Sequence, residues 1–291
     1  MKEFIKGVAN AKINLHLNVH SKRTDGYHPL SSVMQSVSLF DEIEIIKTKV
    51  CGVEVLTEGT QIIGDNLVKK AAEEFLAFTG INCGVKILLK KHIPLFSGLG
   101  GGSADAAATF ILLNALFNAG LDEEKLNKMA LSVGADVPFC LYGGTKTAQG
   151  IGEKLSKTAP LCEMDVVLIK EGNKASTGYM YAQIDDFGIT ETDDLALICR
   201  NIKEQNYSEL QKNCFNSFLN VSPNKEKQQK IIDELYNNGA VLAGLSGSGP
   251  TVFGLFEQPL SASFKSKLTE KYKEIYFCKT ADSGIKIIKS E

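Results

Sequence analysis

Four glycines, Gly98, Gly100, Gly101 and Gly102, fall within five positions of the stretch PLFSGLGGGSADAAATF (94–110), and alanines follow at once. A backbone without side chains can pass close to a ligand or turn through positive φ. Ala104, Ala107, Ala108, Ile111, Leu112, Ala115 and Leu116 then recur at helical spacing, which predicts a helix starting around Ser103 to Ala106 and ending at Gly120. Its unpaired N–H groups and positive dipole end would point into the space the glycines clear, making a cradle for an anion, most naturally phosphate. A flexible surface loop has the same composition, so the glycines alone leave both readings open. Two familiar phosphate motifs do not fit. No Gly-Lys-Ser/Thr follows, as a P-loop requires, and Ser103 stands where a dinucleotide fingerprint needs its third glycine.

The elements around this loop are marked by periodicity. Lys12, Asn14, His16 and Asn18 alternate with Ile13, Leu15, Leu17 and Val19, the pattern of a half-buried strand with a solvated polar side. Asp25-Gly26 signals a turn, and SSVMQSVSLF, DEIEIIK and GVKILLKKHIP read as strands. DNLVKKAAEEFLAFTG reads as a helix capped by Asp65 and stopped by Gly80. DEEKLNKMALSVG reads as another, capped by Asp122 and stopped by Gly134, and it leads into ADVPFCLYGG. The charged, turn-rich EKLSKTAPLCEMD marks a boundary, giving expected domains 1–160 and 161–291. The second would hold a strand at MDVVLIK, a polar mobile segment DDFGITETDD, helices near LALICRNIKEQ and NKEKQQKIIDELYNNG, and strands at AVLAGLSGSGPTVFGLFE and EIYFCKTA.

Composition narrows the class of partner. The 291 residues are 44% hydrophobic and 23% charged with a formal net charge of -2, which suits a globular chain with one large or two medium domains. Without a Lys/Arg block, nucleic acid and membrane surfaces are poor partners, and a small molecule is expected instead. Seven scattered cysteines with no C-x-x-C pair suggest reduced thiols. No apolar run approaches the roughly 20 residues that span a bilayer, so a cytoplasmic location is expected.

PLFSGLGGGSADAA resembles the P-x-x-x-G-L-G-G-G-S-[SA]-[DN]-A-A motif of the GHMP kinase superfamily, and AGLSGSGPTVFG (243–254) resembles its C-terminal glycine motif. AKINLHLNV, RTDGYHPL, DNLVKKAA, GADVPFCLYGGTKTAQGIGEKL and STGYMY are similar, in order and spacing, to the branch that phosphorylates 4-diphosphocytidyl-2-C-methyl-D-erythritol. This similarity runs through essentially the whole chain. It implies an α+β, two-domain GHMP kinase fold: an N-terminal domain like the second domain of ribosomal protein S5, then a ferredoxin-like C-terminal domain. The implied reaction moves the γ-phosphate of ATP, accompanied by Mg2+, to the 2-hydroxyl of that substrate in the non-mevalonate isoprenoid pathway.

The resemblance also implies roles. Asp136 would accept the hydroxyl proton and Lys12 would be its cationic partner, with Asn14 on the same strand face toward the substrate. Tyr27 would stack on cytosine, His28 would hydrogen-bond its edge, and Thr177 would approach the methylerythritol phosphates. Asn66 and Lys91 would contact the nucleoside of ATP, while Pro94, Gly98, Leu99, Gly100, Gly101, Gly102, Ser103 and Ala104 wrap the triphosphate. Gly247 and Ser248 would close the cleft. No protein ligand for magnesium is assigned, Asp105 included.

Read without the resemblance, Asp136 could cap the turn before Pro138, Lys12 could be a solvated strand residue, and Tyr27-His28 an ordinary turn. A kinase acting on homoserine or mevalonate is the nearest alternative, set apart by DGYH because those substrates carry no cytosine. A non-catalytic relative is the other, set apart by the Lys12 and Asp136 pair.

Overall fold

In the computed structural model, residues 3–58, 66–188 and 192–290 are described. The first half runs β1 (Phe4–Val19), β2 (Leu30–Thr48), β3 (Gly52–Glu58), α1 (Leu67–Thr79), β4 (Gly84–Lys90), α2 (Gly101–Phe117), α3 (Glu123–Val133), α4 (Val137–Tyr142), β5 (Thr145–Gln149) and β6 (Lys154–Lys157). The second runs β7 (Asp165–Lys170), α5 (Thr177–Phe187), α6 (Leu195–Lys203), α7 (Tyr207–Asn213), α8 (Ser217–Val221), α9 (Lys225–Asn237), β8 (Leu242–Leu245), β9 (Thr251–Phe256), α10 (Ala262–Lys271), β10 (Ile275–Ala281) and β11 (Ile285–Ser290).

β1 and β2 are the long spine of the molecule. They pair antiparallel along nearly their whole length, and the two expected strands SSVMQSVSLF and DEIEIIK are one continuous β2. β4 and β5 pair with opposite ends of β2, and β3 joins β4 in parallel as an edge strand. The second half folds a four-stranded antiparallel sheet in the order β10-β7-β9-β8, joined to the first through a short β10 and β2 pairing. The end of the expected second domain does not stay there: β11 returns to pair antiparallel with β1.

The core explains why the spine is buried on both sides. Ile5 and Ala9 of β1 pack with α1, α2 and α4; Ala11, Ile13 and Leu15 pack with β7, β9 and α6; Leu17 and Val19 pack with α5 and α9. The opposite, polar face is not solvated as the alternation suggested, because Lys12, Asn14, His16 and Asn18 are all buried. Asp193 covers its far end. Its carboxylate accepts from Asn18 Nδ2 at 2.8 Å and lies 3.3 Å from His16 Nε2. Burial alone would push this carboxyl up, but the bonds to His16 and Asn18 hold it at about 2. The DDFGITETDD segment, expected to be mobile, is therefore helical up to Phe187 and anchored at Asp193, while 189–191 lie outside the described residues.

α2 begins at Gly101, two residues before the expected start, and ends at Phe117 with Asn118, not Gly120, in the left-handed cap conformation. Its alanines let it lie against β1, where a Cβ on Gly7 would come within 2.9 Å of Leu112. Asp65 lies outside the described residues, and the cap of α1 is Asn66, whose Oδ1 accepts from the Val68 and Lys69 amides. Asp122 and Gly134 bound α3 as expected. Among the described residues no helix is long and apolar enough to cross a membrane.

Candidate active site

The polar face of β1, the glycine loop before α2 and the turn between β8 and β9 enclose a cavity of about 560 Å3. Gly100 adopts φ 71° and serves as N-cap of α2 without any side chain to cap it, so the first amides of the helix, at Gly101, Gly102 and Ser103, are left for a ligand. All three residues line the cavity, as do Pro94, Gly98 and Gly100. Leu99 and Ala104, expected in the cradle, are instead fully buried and absent from the lining. Leu99 serves through its backbone, its carbonyl accepting from the Lys12 amide at 2.9 Å and tying the loop to β1.

The two glycine stretches are bonded to each other. Ser246 Oγ donates to the Gly98 carbonyl at 3.0 Å, and the Thr251 amide donates to the Ser97 carbonyl at 3.2 Å. Gly98 has φ 80°, and a Cβ there would sit 2.3 Å from the Ser246 carbonyl oxygen. Gly98→Ala is therefore expected to destabilise the chain by at least ~2 kcal/mol, from left-handed strain plus a clash with backbone that cannot rotate away. A thermal melt should show a midpoint lower by roughly 5 °C. An unchanged midpoint would mean that the two stretches are not locked together as described.

Lys12 rises from β1 into this enclosure. Its Nζ donates to Asn14 Oδ1 at 2.8 Å and lies 3.3 Å from Asp136 Oδ2. Asn14 is fixed in turn, its Nδ2 donating to Ser32 Oγ at 2.9 Å and its Oδ1 accepting from the Gly247 amide at 3.0 Å. Asp136 occupies the N-cap position of α4, yet its side chain makes no capping bond. The second helical residue is Pro138, which has no N–H to offer such a cap. The carboxylate faces Lys12 instead, and at 35% exposure it remains open to the cavity.

From the second half, Thr177 opens α5 with its hydroxyl 3.4 Å from that of Ser248, and both border the cavity together with Gly247. Asn66 and Lys91 also line it. Asn66 commits its Oδ1 to capping α1, and Lys91 is not the exposed residue its place at a strand end suggests: it is buried against Asp41 and Asp105.

Tyr27 and His28 do not line the cavity. Their turn closes through Gly26 N to Arg23 O and Tyr27 N to Asp25 Oδ1, and it sends the two side chains apart. Tyr27 is 59% exposed, whereas His28 is buried, its Nδ1 bonded to the His20 carbonyl and its ring stacked on Tyr181 at 5.2 Å.

Three lining residues are given no role by the sequence, although Tyr181 closes the STGYMY stretch. Tyr181 and Phe218 bring an aromatic wall, their rings packed edge to face at 5.1 Å. Lys174 adds a second ammonium; burial and the like charge of Lys12 pull its pKa down, with Asp136 opposing. It sits in a short connection after β7, where nothing in local pattern separates it from a surface lysine.

A helix N-terminus bared by glycines, a lysine and carboxylate pair, and a second glycine turn closing from another domain are the parts of a small-molecule phosphotransferase. The pattern described as the GHMP kinases N terminal domain matches residues 66–144, and that of the GHMP kinases C terminal domain matches 197–274. A 4-diphosphocytidyl-2-C-methyl-D-erythritol kinase of Thermoanaerobacter pseudethanolicus is 38% identical over 97% of this chain and 98% of its own length. Another, from Caldanaerobacter subterraneus subsp. tengcongensis, is 39% identical over 96% and 98%. The crystal structure of a 4-(cytidine 5'-diphospho)-2C-methyl-D-erythritol kinase superposes with a TM-score of 0.80 at 29% identity, covering 95% of this chain and 99% of that one. The chain has the α+β GHMP kinase fold and belongs to the 4-diphosphocytidyl-2-C-methyl-D-erythritol kinase family.

Proposed function

We propose that the chain is an ATP-dependent kinase that transfers the γ-phosphate to the 2-hydroxyl of 4-diphosphocytidyl-2-C-methyl-D-erythritol, a step toward isoprenoid precursors that does not pass through mevalonate. The observation that carries the reading is the facing of Lys12 and Asp136, 3.3 Å apart, in a cavity walled by the glycine loop. Phosphoryl transfer demands positioning, neutralised charge and a destination for the hydroxyl proton. The bare amides of Gly101, Gly102 and Ser103 would hold phosphate oxygens. The Lys12 ammonium would offset charge on the transferring group, and Asp136 would accept the proton as the P–O bond to the leaving group breaks. Because the walls come from both domains, closure on the substrate would exclude water that otherwise competes as acceptor.

Among the described residues no group of three or more His, Cys, Asp or Glu gathers to hold a metal. The described residues thus offer no cage; a magnesium ion brought in on the triphosphate would be held by phosphate oxygens and water, with the Ser103 hydroxyl as the protein donor at hand. Such an ion supplies charge neutralisation to the β- and γ-phosphates. Seven free thiols accord with the cytoplasm as its place of action.

The exposed Tyr27 ring is available to close over a base, with the His28 and Tyr181 ring pair one residue away. Tyr27→Ala is expected to raise KM for the cytidyl substrate about tenfold, with KM for ATP within about twofold, because a lost stack costs ~1–3 kcal/mol at one ligand only. Equal rises in both constants would make the ring structural. The reading as a whole is tested by ADP release with magnesium and ATP in the presence of the cytidyl substrate, homoserine or mevalonate. Turnover with the first alone is expected, and turnover with homoserine or mevalonate alone would replace the reading by another kinase of the superfamily.

A further inference from the structure

Beneath the glycine loop lies a charged cluster for which the mechanism above has no task. Lys91, just after β4, bonds to Asp41 on β2 and, at 2.6 Å, to Asp105 in the second turn of α2. A Cβ on Gly101 would come within 3.3 Å of Lys91 Nζ, so the cluster directly underlies the cradle. Both carboxyl groups are buried, Asp41 to 0% exposure and Asp105 to 1%.

The two carboxyl groups are not equivalent. Asp41 is fully supplied with donors: the His92 and Ile93 amides reach Oδ1 at 2.6 and 2.8 Å, and Lys91 reaches Oδ2. Asp105 has Lys91 on Oδ2, while its buried Oδ1 has no donor among the described residues. The same Lys91 ammonium reaches Oδ2 of Asp41 and Oδ2 of Asp105, so the two carboxyl groups crowd one cation. One ammonium balances one carboxylate, and two buried carboxyl groups crowding a single cation repel unless one of them carries a proton. Donor supply makes Asp41 the anion.

We propose that Asp105 stands in the protein as a neutral carboxylic acid beside the Asp41 anion, a positioning residue that clamps the start of α2 to β2 and Lys91 without adding a negative charge under the cradle. The benefit to a polyanion rests on the nucleotide reading above; the location of the proton does not. Burial and the Asp41 charge push the Asp105 carboxyl well above the ordinary aspartate range, against the pull of Lys91. The α2 N-terminus favours the anion, but only modestly. Among the described residues the other ionisable groups bordering the site include Lys12 on β1, Lys174 in the connection after β7, and Asp136 and the Cys140 thiol at α4.

The test compares the full chain with Asp105→Asn, which keeps shape and a donor, and with Asp105→Ala, which keeps neither. An acid whose folded pKa is raised gives stability that is complete below the ordinary aspartate value and is lost as pH rises toward the folded value. The thermal midpoint of Asp105→Asn should therefore gain on the native chain as pH increases from 4 upward. An ionised Asp105 reverses the sign, with the variant losing ground over the same interval, and that result would overturn the proposal. Infrared spectra of the native chain at neutral pH should contain the carbonyl band of an un-ionised acid, absent in Asp105→Asn; a native spectrum without it is equally fatal. In ATP titrations, Asp105→Asn should keep Kd within about threefold while Asp105→Ala weakens it about tenfold or more. Equal weakening by both variants would show that the negative charge itself is needed. Absence of ATP binding by the native chain would instead sink the nucleotide reading, leaving the proton to be decided by the first two measurements.

Discussion

Asp136→Asn is expected to lower kcat by about 10³-fold while leaving Kd for ATP within about threefold. The amide has the shape of the carboxylate and still reaches Lys12, so the enclosure should persist. What is lost is the acceptor for the hydroxyl proton at the moment of transfer. Asp136 holds the N-cap position of α4, yet its side chain makes no capping hydrogen bond. Its variant should therefore cost little stability. A kcat within tenfold of native would show that the proton leaves by another route, and a large fall in thermal midpoint would return Asp136 to a structural part.

Lys12→Met is expected to reduce kcat by about 10²- to 10³-fold, since it deletes a charge aimed at the transferring group inside a largely buried enclosure. Methionine matches the length of the lysine stem that packs against Gly100, so the loss should be electrostatic. Asn14 would keep its second partner, the Gly247 amide, and hold the turn after β8 in place. Because the proposed mechanism has Lys12 and Asp136 act on one proton and one phosphoryl group, the double variant should be far less impaired than the product of the single losses. Steady-state kinetics of the three variants check this. Strictly multiplicative losses would mean that the two side chains work independently.

Much of this site is legible in the amino-acid sequence because its parts are local. Glycines at 98 and 100 to 102 leave a loop or a bared helix start open, the alanines that follow at helical spacing point to the helix, and Asp25-Gly26 signals a turn. What stays hidden depends on residues far apart in the chain. The alternation from Lys12 to Val19 gives a period of two but cannot say that the polar side is covered, since its cover comes from Asp193 and from the turn at Gly247. Lys91 looks like any strand-end lysine until Asp41, fifty residues earlier in the chain, is found beside it. The return of β11 to β1 joins the two ends of the molecule, and no local pattern encodes such a pairing. Tyr181, although it closes STGYMY, and Lys174 show no role in the sequence for the same reason: each acquires one only when α5 and its entry are folded against β1. The helix termini at Gly101 and Asn118 escape for a different cause, because a left-handed glycine opens α2 and an asparagine closes it, the reverse of the usual preference.

The account stands or falls on which hydroxyl receives the phosphate. Phosphorus NMR of the product formed from ATP and the cytidyl substrate should show a new monoester resonance with no splitting by protons, because carbon 2 bears a methyl group and no hydrogen. The same signal should be missing with Asp136→Asn over the same interval. A monoester split by neighbouring protons, which marks transfer to a primary or secondary hydroxyl, or no new monoester beside released inorganic phosphate, would contradict it.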